Sequence, residues 1–377
     1  MAIKNYKGNE TFKVGRNQDL NACVGNNGFN DIGTYEYGYD KAVNILVDAA
    51  KNDHGIVDPI IYPLIFSARH RIELFLKKSI YALEEIYKTI SRKIVYLNYL
   101  PTHDIKRLWE HLKTLCEIDC RYKDVVLELS SLIEDYYIID LTGETFRYPY
   151  DKNDVHHLDD FSCINIGIFK RQYDKASELM DNITYINNAL LEEYKTGTFI
   201  DGLSRVQLEE ISKMLPSREE WTNPSFDEIR ERIKSTYSIS GRALSRALNI
   251  IQKHREFSNN FGAIIPVTEL TYNDYIVFRT KFNEFHSLEK GKEYFKYKNK
   301  YATDICSLIS AQAIYSLMTF EEIGYFSRYS EDYDPLLKHY SNEESLDILF
   351  MRLMDSKRIP EWIEKGMVIC GQSHFLK

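Results

Sequence analysis

An all-α fold is expected from three observations on this 377-residue chain. Glycine and proline, 17 and 9 residues, occur at about half their usual share, so turns are few. Apolar residues recur at helical spacing through long stretches of Leu, Ile, Glu, Lys and Tyr. Strand-like character is confined to one short piece, Ala263 to Val267, which is read as a strand or a buried extended segment. With 44% hydrophobic residues the chain can bury a core, which excludes global disorder.

In order along the chain, residues 1–35 are polar and rich in Asn and Gly and read as an arm. Helical periodicity starts near Tyr37 and carries Val43, Ile45, Leu46 and Ala49. After a loop at Asp53, Gly55 and Asp58-Pro59, the apolar run Ile60 to Phe66 opens a buried helix that continues toward Ile90. Pro101-Thr102-His103-Asp104 is a turn with an N-cap, because Thr102 or Asp104 can accept from the first free amides of a helix. That helix runs from Ile105 to about Ile118 with Leu108, Leu112 and Leu115 on one stripe, and another spans Tyr122 to Tyr137. Thr142-Gly143 breaks the pattern. Phe146-Arg147-Tyr148-Pro149 is extended, Asp151 to Asp160 is a polar loop, and a long helix follows from Ile166 to Tyr194, with Ile183, Ile186 and Leu190 facing a core.

Thr196-Gly197 and Asp201-Gly202 mark the boundary between a bundle at 36–200 and a second, mostly helical domain at 201–377. Helices are expected there at Val206–Leu215, Phe226–Tyr237, Arg242–Glu256, Tyr272–Glu289, Tyr294–Phe320 and Glu344–Met354.

Lys and Arg number 48 against 56 Asp and Glu, a net charge of −8, which argues against an evenly basic nucleic-acid coat but not against a local basic groove. No apolar run approaches a membrane span and the start lacks an apolar leader, so a cytoplasmic protein is expected. Six cysteines read as reduced thiols; Cys116 and Cys120, with His111 nearby, are expected as buried thiols on one helical face. Tyrosine, at 28 residues, outnumbers Phe and Trp together and suits interfaces and polar-lined clefts.

The densest chemistry lies at Arg69-His70-Arg71. Arg69, Glu73 and Lys77 follow at i,i+4 with His70 and Lys78 beside them. One reading is an ion-pair ladder satisfied on a helix surface. The other is a cationic cleft, in which Arg grips a phosphate and His moves protons near neutral pH.

The succession Ala68-Arg69-His70-Arg71-Ile72-Glu73-Leu74-Phe75-Leu76-Lys77, followed by Thr102-His103-Asp104-Ile105 with Leu108, resembles the HEPN superfamily. Phe146-Arg147-Tyr148-Pro149 with Asp151 is similar to a stretch of uncharacterised bacterial HEPN-like proteins. The resemblance covers about residues 37–200. It implies an antiparallel helical bundle that often dimerises and, in many members, a metal-independent ribonuclease of toxin or phage-defence systems. In that chemistry a ribose 2′-OH attacks the adjacent phosphate, with His handling protons and Arg the charge. The family's Arg and His have four to six residues between them; no His follows Arg69 or Arg71 at that spacing. The catalytic set read here is Arg69, His70 and His103, and the alternative pair is Arg279 with His286, two helical turns apart.

Between Ile229 and Arg255, seven basic residues face the single acid Glu231 in a helix–turn–helix outline around Ser238-Ile239-Ser240-Gly241. Arg242, Arg246, Lys253 and Arg255, together with Arg147, are the candidate nucleic-acid contacts; an acidic partner protein would also suit that surface. The His156-His157-Leu158-Asp159-Asp160 run offers metal-ligand types, which would make a metal-dependent hydrolase, but it reads better as a solvated loop. No cofactor or metal is expected. The function expected is a defence or toxin-type endoribonuclease, with RNA, a second copy of the chain and a partner protein of a defence system as partners. The alternative is a non-catalytic helical sensor, regulator or assembly subunit binding nucleic acid or a partner protein.

Overall fold

The computed structural model describes residues 11–28, 31–94, 96–288, 294–342 and 346–376. Among them the chain is all-α: fifteen helices, no strand, and two isolated β-bridges, Tyr150 with His156 and Ile200 with Leu203. The expected strand at 263–267 is irregular backbone. Gln372 takes the place of a strand partner there, its Oε1 accepting from the Val267 amide at 3.2 Å and its Nε2 donating to the Ile265 carbonyl at 2.8 Å.

Two compact units divide the chain, Met1–Leu191 and Glu192–Lys377. The first holds α1 (Ile32–Asn52), α2 (Val57–Thr89), α3 (Ile105–Cys116), α4 (Lys123–Ile139) and α5 (Ile166–Lys195), whose last turn carries the division. Helix α1 begins inside the expected polar arm because Asp31 caps it, Oδ1 accepting from the Thr34 amide at 2.8 Å. Helix α2 runs through Pro63; the carbonyl that proline leaves unpaired belongs to Pro59, and both residues are exposed, so water can satisfy it. Val43 and Val47 of α1 pack on Leu64 and Ala68 of α2 and Tyr173 of α5. Leu108, Leu112 and Leu115 are buried as their spacing predicts, as are Ile183, Ile186 and Leu190. Cys116 is buried at the end of α3, whereas Cys120 is exposed in a 3-10 turn, so the two thiols do not share a helical face.

The second unit has two cores. Around one pack α6 (Arg205–Met214), α7 (Ser225–Tyr237), α8 (Gly241–Lys253) and α9 (Arg255–Asn259), joined through Leu208, Ile211, Phe226, Ile233, Leu244, Ile251 and Phe257. The other gathers α10 (Tyr272–Ser287), α11 (Tyr294–Leu308), α12 (Ala311–Phe326), α13 (Tyr333–Ser341), α14 (Leu346–Arg352) and α15 (Ile359–Ile369). Two expected helices are split by side-chain caps. Ser310 accepts from the Ala313 amide at 3.1 Å and separates α11 from α12. His254 Nδ1 accepts from the Phe257 amide at 3.2 Å and starts α9 anew. Helix α12 is the buried centre of this unit, and Gly324 lets it meet α15: a Cβ there would lie 1.8 Å from the Trp362 carbonyl oxygen.

Candidate functional site

In the first unit, α2 carries the charged line Arg69, Glu73 and Lys77, and the structure buries all three. The surface-ladder reading is therefore corrected: these charges are held inside, where only dense hydrogen bonding makes them tolerable. Arg69 donates from Nη1 to Glu73 Oε2 at 2.7 Å, from Nε to the Asp140 carbonyl at 3.2 Å, and from Nη2 to the Leu141 carbonyl at 3.0 Å and to the His103 carbonyl. Lys77 Nζ donates to Glu73 Oε1 at 2.8 Å and to the Leu100 carbonyl at 3.0 Å. Four of the five guanidinium N–H groups of Arg69 are thus committed inside the protein. The expected role of Arg69 as a phosphate grip does not fit this burial. It ties α2 to the 140–143 loop and to the turn before α3.

That tie depends on Gly143. Its φ is +87°, and a Cβ there would meet Arg69 Nη1 at 3.0 Å, so the loop closes on the guanidinium only where no side chain intervenes. Asp140 Oδ1 holds the same loop by accepting from the Gly143 amide at 2.8 Å and the Thr145 amide at 3.2 Å. Ahead of α3, Asp104 is the N-cap, accepting from the Arg107 amide at 2.9 Å, and Thr102 Oγ1 accepts from the Asp104 amide at 3.3 Å. His103 sits between these two capping residues.

Its ring is fixed by one contact. Nδ1 lies 2.9 Å from Glu73 Oε1, with the His103 side chain 64% exposed and the Glu73 side chain 2% exposed. Burial alone would raise the Glu73 pKa, but hydrogen bonds and charge from Lys77 and Arg69 hold it at about 2. An ionised carboxylate is acceptor-only, so His103 Nδ1 must carry the proton it shares and Nε2 is left as the site for proton exchange. His70, one turn before Glu73, places Nδ1 3.9 Å from Glu73 Oε2 and is 25% exposed. Burial lowers its pKa, Glu73 opposing and Arg69 and Lys77 adding, so it is neutral at pH 7. Its ring lies parallel to Phe66 at 5.8 Å and meets Tyr39 edge-on at 4.5 Å. Two imidazoles and one buried carboxylate therefore meet at one place, one ring held by a hydrogen bond and the other by aromatic packing.

Arg147 belongs to the same surroundings. Its guanidinium lies 5.5 Å over Phe66 and 5.1 Å over Tyr148 and donates to the Tyr148 hydroxyl at 3.0 Å, and among the described residues it has no carboxylate partner. Beside it the 140–165 connection folds on itself through Asp151, which accepts from the Asn153 and Val155 amides, and through the His157 amide donating to the Pro149 carbonyl at 2.9 Å. This loop and the start of α2 line an open-sided cavity of about 660 Å³. His156 and His157 are on its wall, and His156 Nδ1 is 2.7 Å from Asp159 Oδ1, consistent with a solvated loop.

The second unit sorts the remaining candidates. Arg242, Arg246 and Lys253 are exposed on α8 without an ion pair among the described residues. Arg255 is corrected: it lies past the His254 break, bonded twice to Asp334 at 2.9 Å and placed 5.0 Å over Tyr333, so it is not available to a nucleic acid. In α10, Arg279 faces Glu364 at 3.5 Å and His286 packs against Phe282 and Phe285, at 4.3 and 4.9 Å between ring centres. The alternative pair is thus drawn into separate local contacts.

His254, Glu256 and Glu331 bring one ligand atom each, an imidazole nitrogen and two carboxylate oxygens, within 4.8 Å of one another. Arg205 already fills that place: its Nε donates to Glu331 Oε1 at 2.8 Å and its Nη2 to Glu331 Oε2 at 2.9 Å and to Glu256. A cation beside that guanidinium would be repelled, and the cluster is an internal ion-pair network. Sequence reasoning did not find it, since its members are scattered between 205 and 331.

Sequence reasoning also missed the aromatic path along α2. Asp58, Tyr62, Phe66 and His70 stand at successive i,i+4 steps, a spacing that could have shown it. Comparison with protein-family models, with curated proteins and with solved structures finds no match to this chain.

Proposed function

We propose that the first unit is a metal-independent endoribonuclease whose proton-transfer groups are His103 and His70. The observation that carries this reading is the exposed His103 ring held by Nδ1 on the buried, ionised Glu73 carboxylate with a second imidazole on the same carboxylate. In the reaction the 2′-oxygen of a ribose attacks the adjacent phosphorus and the bond to the 5′-oxygen breaks, leaving a 2′,3′-cyclic phosphate. His70, neutral because burial lowers its pKa, takes the 2′-OH proton, and His103 Nε2 returns a proton to the leaving 5′-oxygen. Arg147, an exposed cation over the Phe66 ring that stacks on His70, faces the phosphate, while Arg69 and Glu73 position the groups that react. In the second unit the face Arg242, Ser245, Arg246, Asn249 and Lys253 of α8 contacts nucleic-acid backbone, a role favoured by its unpaired charges.

The test is incubation of the purified chain with total RNA in EDTA. Cleavage leaving 2′,3′-cyclic ends, falling at least ~100-fold in His103→Ala and in His70→Ala, is the expected result. Cleavage that survives both substitutions, or no cleavage by the unaltered chain, overturns the reading.

A further inference from the structure

We propose that the cavity beside Arg147 is a nucleotide subsite that takes one residue of single-stranded RNA, its base against Tyr62, Tyr148 and Phe161 and its phosphate on Arg147. The inference rests on the ribonuclease reading and adds what the substrate must be.

Three observations carry it. The first is size: about 660 Å³ lies within the range of small-molecule clefts and exceeds what a lone ion or water cluster needs. The second is the lining. Tyr62, Tyr148 and Phe161 are each about half exposed around the cavity, an arrangement that leaves ring surface bare to water. Every nucleobase has an apolar face that can stack on such rings, worth roughly 1–3 kcal/mol per base whatever its identity. Asp58 on the same wall offers a carboxylate to the exocyclic amino groups at a base edge. The third is the cation. Arg147 is held between two rings and donates one bond, to a tyrosine hydroxyl, so its remaining donors are oriented but unspent. Stacking on rings, with no carboxylate partner among the described residues, keeps an exposed Arg ready for phosphate.

The direction of the strand follows from α2. Tyr62 lines the cavity and His70 lies eight residues further along the same helix, about 12 Å at 1.5 Å per residue, with Phe66 between them. Arg147 stands over Phe66, so a phosphate on that guanidinium lies between cavity and imidazoles. A free nucleotide would end at Arg147; a strand continues past it to the reacting ribose. Double-stranded RNA is excluded as the occupant, because its bases are paired and cannot enter a side cavity.

The experiment measures binding apart from cleavage. A 2′-O-methyl RNA hexamer has no free 2′-OH to react, and its fluorescence anisotropy is followed on the full chain, with nucleoside 5′-monophosphates as competitors. Arg147→Ala and Tyr62→Ala are each expected to weaken hexamer binding roughly ten-fold or more, while Lys152→Ala, which removes a charge from the same loop, leaves it unchanged. Hexamer binding that is absent, or indifferent to Arg147→Ala and Tyr62→Ala, overturns the subsite even where RNA is cleaved in EDTA. A monophosphate that binds more tightly than the hexamer overturns the strand in favour of a free nucleotide. Binding that behaves as expected in a chain that cleaves no RNA keeps the subsite and overturns the ribonuclease.

Discussion

Glu73→Gln removes one charge from the centre of the site while keeping its shape, and its consequences can be worked out from the contacts. The carboxylate accepts from Arg69 and Lys77 at 2.7 and 2.8 Å and from His103 at 2.9 Å, using both oxygens. A glutamine offers one carbonyl oxygen and turns an NH2 toward either Arg69 or the Lys77–His103 side, donor against donor. Arg69 and Lys77 then stay buried without a counter-charge, and breaking a buried pair in this way costs about 3–5 kcal/mol. In a unit of this size each kcal/mol moves the melting temperature by ~2–4 °C, so a fall on the order of 10 °C is expected near pH 7. Calorimetry on the full chain, with the exposed His103→Ala as control, measures it. The pH dependence has a definite sign. The folded pKa of Glu73, about 2, lies below its ordinary 4.5, so its contribution is complete above pH 4.5 and is lost as pH falls toward 2. The gap between the unaltered chain and Glu73→Gln should therefore close over that interval. A melting temperature within ~2 °C of the unaltered chain at pH 7 would falsify the argument that this carboxylate balances two buried cations.

Two further outcomes follow from the second unit. Gly324→Ala places a Cβ against the Trp362 carbonyl where 1.8 Å is available, so α12 and α15 must separate; the urea midpoint should drop by the equivalent of at least ~1–3 kcal/mol, and an unchanged midpoint would contradict that close approach. Arg242→Glu combined with Arg246→Glu should weaken nucleic-acid binding and flatten the plot of log affinity against log salt by about 2 for two lost phosphate contacts on a duplex, whereas an unaltered slope would remove α8 from the interface.

Helix positions in this protein are legible because they are written in local spacing. The stripes of α3 and α5 needed only the 3.6-residue period, and the capped turn before α3 needed only Thr102 and Asp104. Breaks were harder to read. Ser310 and His254 each stand inside an apolar pattern that continues across them, and only the backbone shows that their side chains have taken the first amides of a new helix. Helices α13 and α15 were missed for another reason: α13 is short and α15 opens with a proline at its second residue, a start signal easily taken for a break.

The site was half legible, and the missing half is long-range. Spacing at i,i+4 brings Arg69, Glu73 and Lys77 together whether the helix face is wet or dry, so it cannot separate a surface ladder from a buried strut. What decides is the acceptors of Arg69, which are main-chain carbonyls 34, 71 and 72 residues away. A carbonyl carries no residue identity, so no pattern of letters announces it. Those same bonds redistribute the roles read from the sequence. An arginine with four donors committed inside the fold has little left for a phosphate, and in the proposed function the phosphate-facing charge passes to Arg147, whose side chain has, among the described residues, a tyrosine hydroxyl as its one hydrogen-bond partner. By gripping the His103 carbonyl and the Glu73 carboxylate at once, Arg69 fixes both ends of the contact that orients the His103 ring. Its influence on any chemistry here runs through that geometry, which is why the buried carboxylate, rather than the arginine, is the place to perturb.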